Sequence, residues 1–210
     1  MRYLQLATLL ALSTHCFCQN YFEGEITYRL EAFKKDSAFD LNSLRAAKAT
    51  RSSFILKGGN FLQKPDSGSL QYLFFSRVEN RIYSKYDWAD TLFYQSGEQL
   101  PRSQDSAYTI EVKQGSDTIL GYSCNRFILH TPNLTLTLIF APELSIDKDW
   151  FKDTKYSYYN IIYANTHSLF LKSIAEFGKY VSILEAERIQ RREVSNSEFP
   201  NTDLLPKALY

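Results

Sequence analysis

The sequence predicts a mainly β protein of one domain, a meander of antiparallel hairpins with one or two short helices. Three observations carry that expectation. Apolar and polar residues alternate with period two in run after run. Clusters of Gly, Pro, Asn and Asp separate the runs at short intervals. The composition is globular: 44% of the 210 residues are hydrophobic and 15% aromatic, with only 8 Gly and 6 Pro, which excludes intrinsic disorder and collagen-like repeats.

The first run places Phe22, Gly24, Ile26, Tyr28, Leu30 and Ala32 on one face and Glu23, Glu25, Thr27, Arg29 and Glu31 on the other. That is the pattern of a half-buried antiparallel strand. Similar signals recur at 54–56, 61–63, 71–75, 81–85, 91–94, 108–113, 124–130, 134–140, 169–177 and 180–189. Between them, Lys57-Gly58-Gly59-Asn60, Pro65-Asp66-Ser67-Gly68, Gly115-Ser116-Asp117, Thr131-Pro132-Asn133 and Phe177-Gly178-Lys179 read as turns. Each contains residues that tolerate positive φ or preset a bend. The best helix candidate is 40–51, with Asp40 as N-cap and Leu41, Leu44 and Ala47 or Lys48 at helical spacing. A second short helix is expected within 147–151 or 155–163. Residues 196–210 lack alternation and contain Pro200 and Pro206, so an irregular tail over the surface is expected. With no linker or composition shift, 19–195 read as one β domain.

Residues 1–18 read as a secretory signal: Arg2, an apolar run from Leu4 to Leu12, and Cys16 and Cys18 as small residues before a cut at Gln19. Lipidation at either cysteine fits poorly, because His15 and Phe17 precede them. Cleavage removes one base and no acid, so the mature chain is neutral. The simplest case for a nucleic-acid partner is thereby removed, since no basic excess displaces counterions. Only Cys124 remains as a thiol, which reads as buried and apolar, with no internal disulfide. No later segment has the 18 uninterrupted apolar residues of a transmembrane helix.

A search for chemistry finds no catalytic set. Only His130 and His167 remain as imidazole bases, with no Gly-x-Ser-x-Gly elbow. One cysteine and two distant histidines do not make a zinc motif. The pairs Asp147/Asp149 and Asp87/Asp90 lack the rest of a calcium loop and read as solvated turns. A hydrolase built on carboxylates alone has no positive support. No metal or cofactor is implied. The most suggestive binding feature is aromatic: Trp150, Tyr156, Tyr158, Tyr159 and Tyr163 suit the rim of a pocket, each joining an apolar face to a polar tip. The same rings also suit core packing. Arg188, Arg191 and Arg192 read as a solvated strand end.

Three stretches carry a resemblance. They are Phe22 to Tyr28 with Gly24, Thr118 to Phe127 with Gly121, Tyr122 and Cys124, and Phe140 to Leu144 with Pro142 and Glu143. In this order and spacing the chain resembles a family of uncharacterised secreted proteins of Bacteroidota, close to the Gly-Leu-Pro-Gly-Leu-Ile family, over most of 20–195. The hexapeptide itself is absent, and 163–168 stands in its place. The resemblance implies the architecture of the lipoprotein-localisation carriers: a single-domain curved antiparallel sheet or incomplete barrel around helices, with an apolar concave face able to hold an acyl chain. It transfers no catalytic residue. Locally, Gly121 is expected to allow a strand bulge or close backbone approach, and Pro142 to end the strand finishing at Phe140.

These readings converge on a secreted, non-enzymatic protein of the periplasm or outer-membrane periphery that binds a lipid or lipidated partner. The alternative is an envelope-assembly module that holds another envelope protein through its sheet edges or the 156–163 surface.

Overall fold

In the computed structural model, which describes residues 21–40, 49–100 and 106–210, each alternating run becomes a strand. In chain order these are β1 Gly24–Lys34, β2 Arg51–Lys57, β3 Asn60–Pro65, β4 Leu70–Ser76, β5 Arg81–Tyr86, β6 Leu92–Ser96, β7 Thr109–Ile119, β8 Tyr122–His130, β9 Leu134–Ser145, β10 Ser168–Phe177, β11 Tyr180–Arg191 and β12 Lys207–Leu209. Among the described residues one α-helix, α1 Tyr159–Thr166, follows 3-10 turns at Lys148–Trp150 and Tyr156–Tyr158. The signal expected at 1–18 lies outside the described residues. So does most of the helix expected at 40–51; its last residue, Arg51, opens β2.

The strands form one open, curved sheet in the order β12-β6-β5-β4-β3-β2-β1-β11-β10-β9-β8-β7. Two meanders, β2 to β6 and β7 to β11, meet at β1, which pairs antiparallel with β2 on one side and β11 on the other. A bulge at Thr27/Tyr28 sets Glu187 between the partners Ala186 and Arg188. That extra residue re-phases β11 and increases the local twist. Among the described residues no helix is long and apolar enough to cross a membrane.

Turn chemistry explains two hairpins directly. Gly58 and Gly59 join β2 to β3 with φ of 57° and 88°, and Leu120 and Gly121 join β7 to β8 with φ of 50° and 84°. Two central residues at positive φ match the twist of the flanking strands. Gly121 thus makes a hairpin turn rather than the strand bulge the sequence suggested. The bulge lies earlier, where Gly115 sits inside β7 and the register slips between Lys113 and Asp117. The expected Gly115-Ser116-Asp117 turn is therefore part of a strand, and Asn125 Oδ1 accepts the Gly115 N–H at 2.9 Å. Pro142 does not stop β9. The strand continues to Ser145, and 141–144 loop out against β10 between the pairs Phe140/Phe170 and Ser145/Ser168. The buried Ser168 hydroxyl donates toward the Ala141 and Leu144 carbonyls, which holds that excursion in place. Glu143 is exposed and its carbonyl accepts from Arg191 at 2.5 Å.

Each face of the sheet is covered by something different. The concave face carries the main core, with Ile26, Tyr28, Phe61, Phe75, Phe127 and Leu138 around Phe151 and α1. Cys124 is part of it, and burial pushes its thiol pKa up. The convex face of β2 to β6 is covered by the C-terminal tail, whose Val194, Phe199 and Leu205 pack on Ile55, Leu62, Phe74, Tyr83 and Leu92. The tail drapes as expected, but it is not irregular throughout, because β12 adds to β6 in parallel. Arg192 anchors it: the guanidinium donates to both Glu198 oxygens, at 2.8 and 2.7 Å, and to Glu25 at 3.3 Å. Glu198 also accepts the Ser195 backbone N–H. The basic cluster is in this part a structural clasp rather than a solvated strand end.

Gly24 lies at φ +145°, and a Cβ there would sit 2.1 Å from the Gln190 carbonyl oxygen of β11. Gly24→Ala is expected to cost about 2–4 kcal/mol in urea unfolding, against about 1 kcal/mol for Gly58→Ala, whose Cβ meets open space. The clasp gives a pH dependence. Arg192, then the Ser195 N–H, lowers Glu198 from 4.5 to about 2. A depressed folded value stabilises above the ordinary pKa and is lost as pH falls through the folded one. Tail amides should therefore lose hydrogen-exchange protection, relative to the β1–β11 ladder, between about pH 4.5 and about 2. Arg192→Met should lack that step.

Candidate functional site

The segment from Asp147 to Thr166 crosses the concave face and is tied to the rim of the sheet. Asp147 caps the first 3-10 turn by accepting the Asp149 N–H at 2.9 Å. Asn80, in the β4–β5 turn, donates to the Asp153 carbonyl at 3.0 Å and accepts from the Thr154 hydroxyl at 2.8 Å. The Lys155 N–H donates to Gly97 O at 2.6 Å. The chain is thus pinned on the β5–β6 side before it runs over the middle of the sheet as α1.

Beneath α1 lies a cavity of about 280 Å³. Its floor comes from Tyr28 of β1, Phe54 of β2, Gln63 of β3, Leu134, Leu136 and Leu138 of β9, Phe170 and Ser173 of β10 and Leu184 of β11; Ser157, Tyr158, Tyr159, Ile162 and Tyr163 form its roof. β3 and β9 are five strand positions apart, which in a flat sheet is roughly 24 Å. That both line one small cavity measures the curl of the sheet. The volume lies near the lower end of small-molecule pockets, about 300 Å³.

The lining is apolar apart from a few placed polar groups. The Tyr28 hydroxyl donates to the Phe170 carbonyl at 2.7 Å. Tyr163 is 3% exposed, and its hydroxyl and that of Tyr159 meet no hydrogen-bond partner among the described residues. Burial pushes all three phenols up, and their mutual proximity adds to it. They are neutral at physiological pH and act as hydrogen-bond donors and acceptors, not as bases.

Of the five aromatic candidates, Tyr158, Tyr159 and Tyr163 line the cavity. Trp150 does not. It is buried against the β2–β3 turn, stacked edge-on with Tyr21 at 5.3 Å, and a Cβ on Gly59 would touch it at 2.9 Å. Tyr156 is half-buried beside Tyr159, with ring centres 6.1 Å apart, and is not among the residues that line the cavity. Among the resemblance residues only Tyr28 reaches the cavity. Gly24, Gly121, Tyr122, Cys124, Pro142 and Glu143 shape strands, turns and core. His130 approaches Thr135 at 3.2 Å on the neighbouring strand, and His167 closes α1 with φ 49° and its ring 3.0 Å from Ala164 O. Neither lines the cavity. The residues that sequence reasoning missed, such as Phe54, Leu136, Phe170 and Leu184, are marked as inward-facing by alternation. Nothing in the sequence says that they meet.

Ser157 and Tyr158 are both left-handed, at φ 51° and 60°. Two successive non-glycine residues in this region cost on the order of 1 kcal/mol or more each, and such strain concentrates where a backbone clamps or releases a ligand.

The fold and cavity define a class: an open curved β sheet crossed by a short helix, with a mainly apolar pocket between them. No family model matches the chain, and no curated protein matches it. Among solved structures it is similar to PNGF-II in two crystal forms, at 14% and 11% identity with TM-scores of 0.47 and 0.49, over 90% and 84% of this chain. The match spans 31% and 29% of PNGF-II, so the chain is about a third of that length. It is also similar to the lipoprotein LppX of Mycobacterium tuberculosis, at 10% identity and a TM-score of 0.38, over 82% of this chain and 89% of that one.

Relief of the strain is measurable. Ser157→Gly is expected to stabilise the ligand-free protein by up to about 1 kcal/mol, or about 3 °C in Tm. An unchanged or lowered Tm would show that the left-handed turn is not strained.

Proposed function

We propose that the chain is a secreted, non-enzymatic envelope protein that holds a hydrophobic ligand, or the lipid group of a lipidated partner, in the cavity beneath α1. The observation that carries this reading is the cavity itself: a concave pocket of about 280 Å³ lies beneath α1 and is lined chiefly by leucines, phenylalanines and tyrosines, the apolar lining typical of small-molecule sites. The two unpartnered phenols give an apolar guest one or two directional contacts, as ligand pockets commonly do. The local roles of both histidines support the non-enzymatic part. The signal-like residues 1–18 and the resemblance to secreted Bacteroidota proteins support the address.

A second reading, an envelope-assembly module without a small-molecule ligand, draws on β7. Its outer edge is free among the described strands, and Tyr108, Ile110 and Val112 stand exposed in a row at 43%, 37% and 48%. Such an edge can accept a partner strand.

Native mass spectrometry of protein purified from periplasm without detergent, before and after organic extraction, separates the two. Added mass that extraction removes is expected. Leu136→Trp, a half-buried cavity residue, should retain at most about a tenth of it, the indole filling the space. A clean apo mass for the wild type would overturn the cavity reading and move the case to crosslinking along β7.

A further inference from the structure

A second hollow, of about 300 Å³, opens on the far side of Tyr158 from the cavity and is lined by Leu100, Ser106, Tyr108, Lys155, Asn160 and Ile161. Tyr158 lines both. We infer that the two hollows are one bipartite site for a long-chain carboxylate, the alkyl chain lying in the inner cavity and the carboxylate meeting Lys155 in the outer one. This rests on the proposal that the inner cavity holds a hydrophobic ligand, and names its class.

The division of chemistry between the compartments carries the inference. The inner one is lined by leucines and aromatic rings and contains no charged side chain. Among the described residues the outer one is lined by a single charged side chain, Lys155, with the Asn160 amide in the same lining and no carboxylate. Lys155 is held by its backbone N–H to Gly97 O, 2.6 Å, while its ammonium makes no ion pair with any described residue. Among the described residues one cation lines the rim, which matches one monoanionic head rather than a phosphate dianion.

The partition is built to yield. Tyr158 is buried, yet its backbone and that of Ser157 are left-handed, so an extended conformation at these residues relieves strain while moving the ring out of the wall. Its ring meets Tyr108 edge-on at 6.3 Å across the outer hollow, which leaves Tyr108 as the opposing side of the passage. The unpartnered Tyr163 hydroxyl belongs to a residue that lines the inner cavity and suits an unsaturated or oxygenated position along the chain.

The test uses cis-parinaric acid and its methyl ester, followed by fluorescence on the delipidated protein, with Lys155→Met as the variant. Lys155 is exposed, so folding is retained, checked by thermal melting. The acid should bind the wild type about tenfold more tightly than the ester, the worth of one charge-assisted contact, and Lys155→Met should remove that preference while leaving ester affinity unchanged. Equal binding of acid and ester to the wild type, or an equal loss of both in Lys155→Met, overturns the bipartite site and leaves the hydrophobic cavity standing. Binding of neither probe to the wild type overturns both.

Discussion

The ladder between β1 and β11 is the interaction on which the remaining structure depends. The chain makes two hairpin meanders, each held by local turns, and in the sheet order they do not pair with each other directly. Continuity between them passes through β1, whose 11 residues pair with β11 along their whole length and with β2 along the first part. Gly24 permits that strand to approach the Gln190 carbonyl, and the bulge opposite Thr27 and Tyr28 turns the sheet at its centre. Because this pairing joins residues more than a hundred positions apart, the entropy of closing the loop must be met before the contacts form. The two meanders are the local units, and the ladder is the step that makes one concave surface out of them.

Once the sheet curls, its two faces have different fates. The convex face is flat enough for a tail with little structure of its own to cover it, pinned by the Arg192 clasp and three apolar side chains. The concave face needs something thicker. Phe151, Tyr158, Ile162 and Tyr163 fill most of it, but an eight-residue helix is a short plug for a surface made by six strands. The hollow beneath α1 is the geometric remainder. It stays mainly apolar because alternation sends leucines and phenylalanines inward, and it gains polar points from its tyrosines and from Gln63, Ser157 and Ser173.

Much of the fold was legible from local signals. Each expected strand lies within or across an observed one, since period-two alternation reports directly which side chains are buried. The errors over turns and bulges were of a single kind. Gly115, Gly121 and Pro142 each carry a true local preference, for positive φ or for an absent N–H, but a turn and a bulge use the same preference. Which one forms depends on the partner strand. The three residues 207–209 lack any signal of their own, and β12 exists because the Arg192 clasp and Phe199 bring the chain beside β6.

For the candidate site, the sequence by itself determined the ingredients: inward-facing apolar positions on each strand, and a tyrosine-rich segment whose rings suit a pocket rim or core packing. It marked Tyr158, Tyr159 and Tyr163 because rings with polar tips are conspicuous in a linear reading. Only the tertiary structure decided that Trp150 clasps a hairpin instead, that Tyr28 shares a wall with Leu136, and that Lys155 stands beside an apolar hollow. The physical reason is that alternation is a property of one strand at a time, whereas a cavity is a property of curvature. Curvature here comes from bulges, from the β1–β11 register and from the length of α1, none of which a single run of residues encodes.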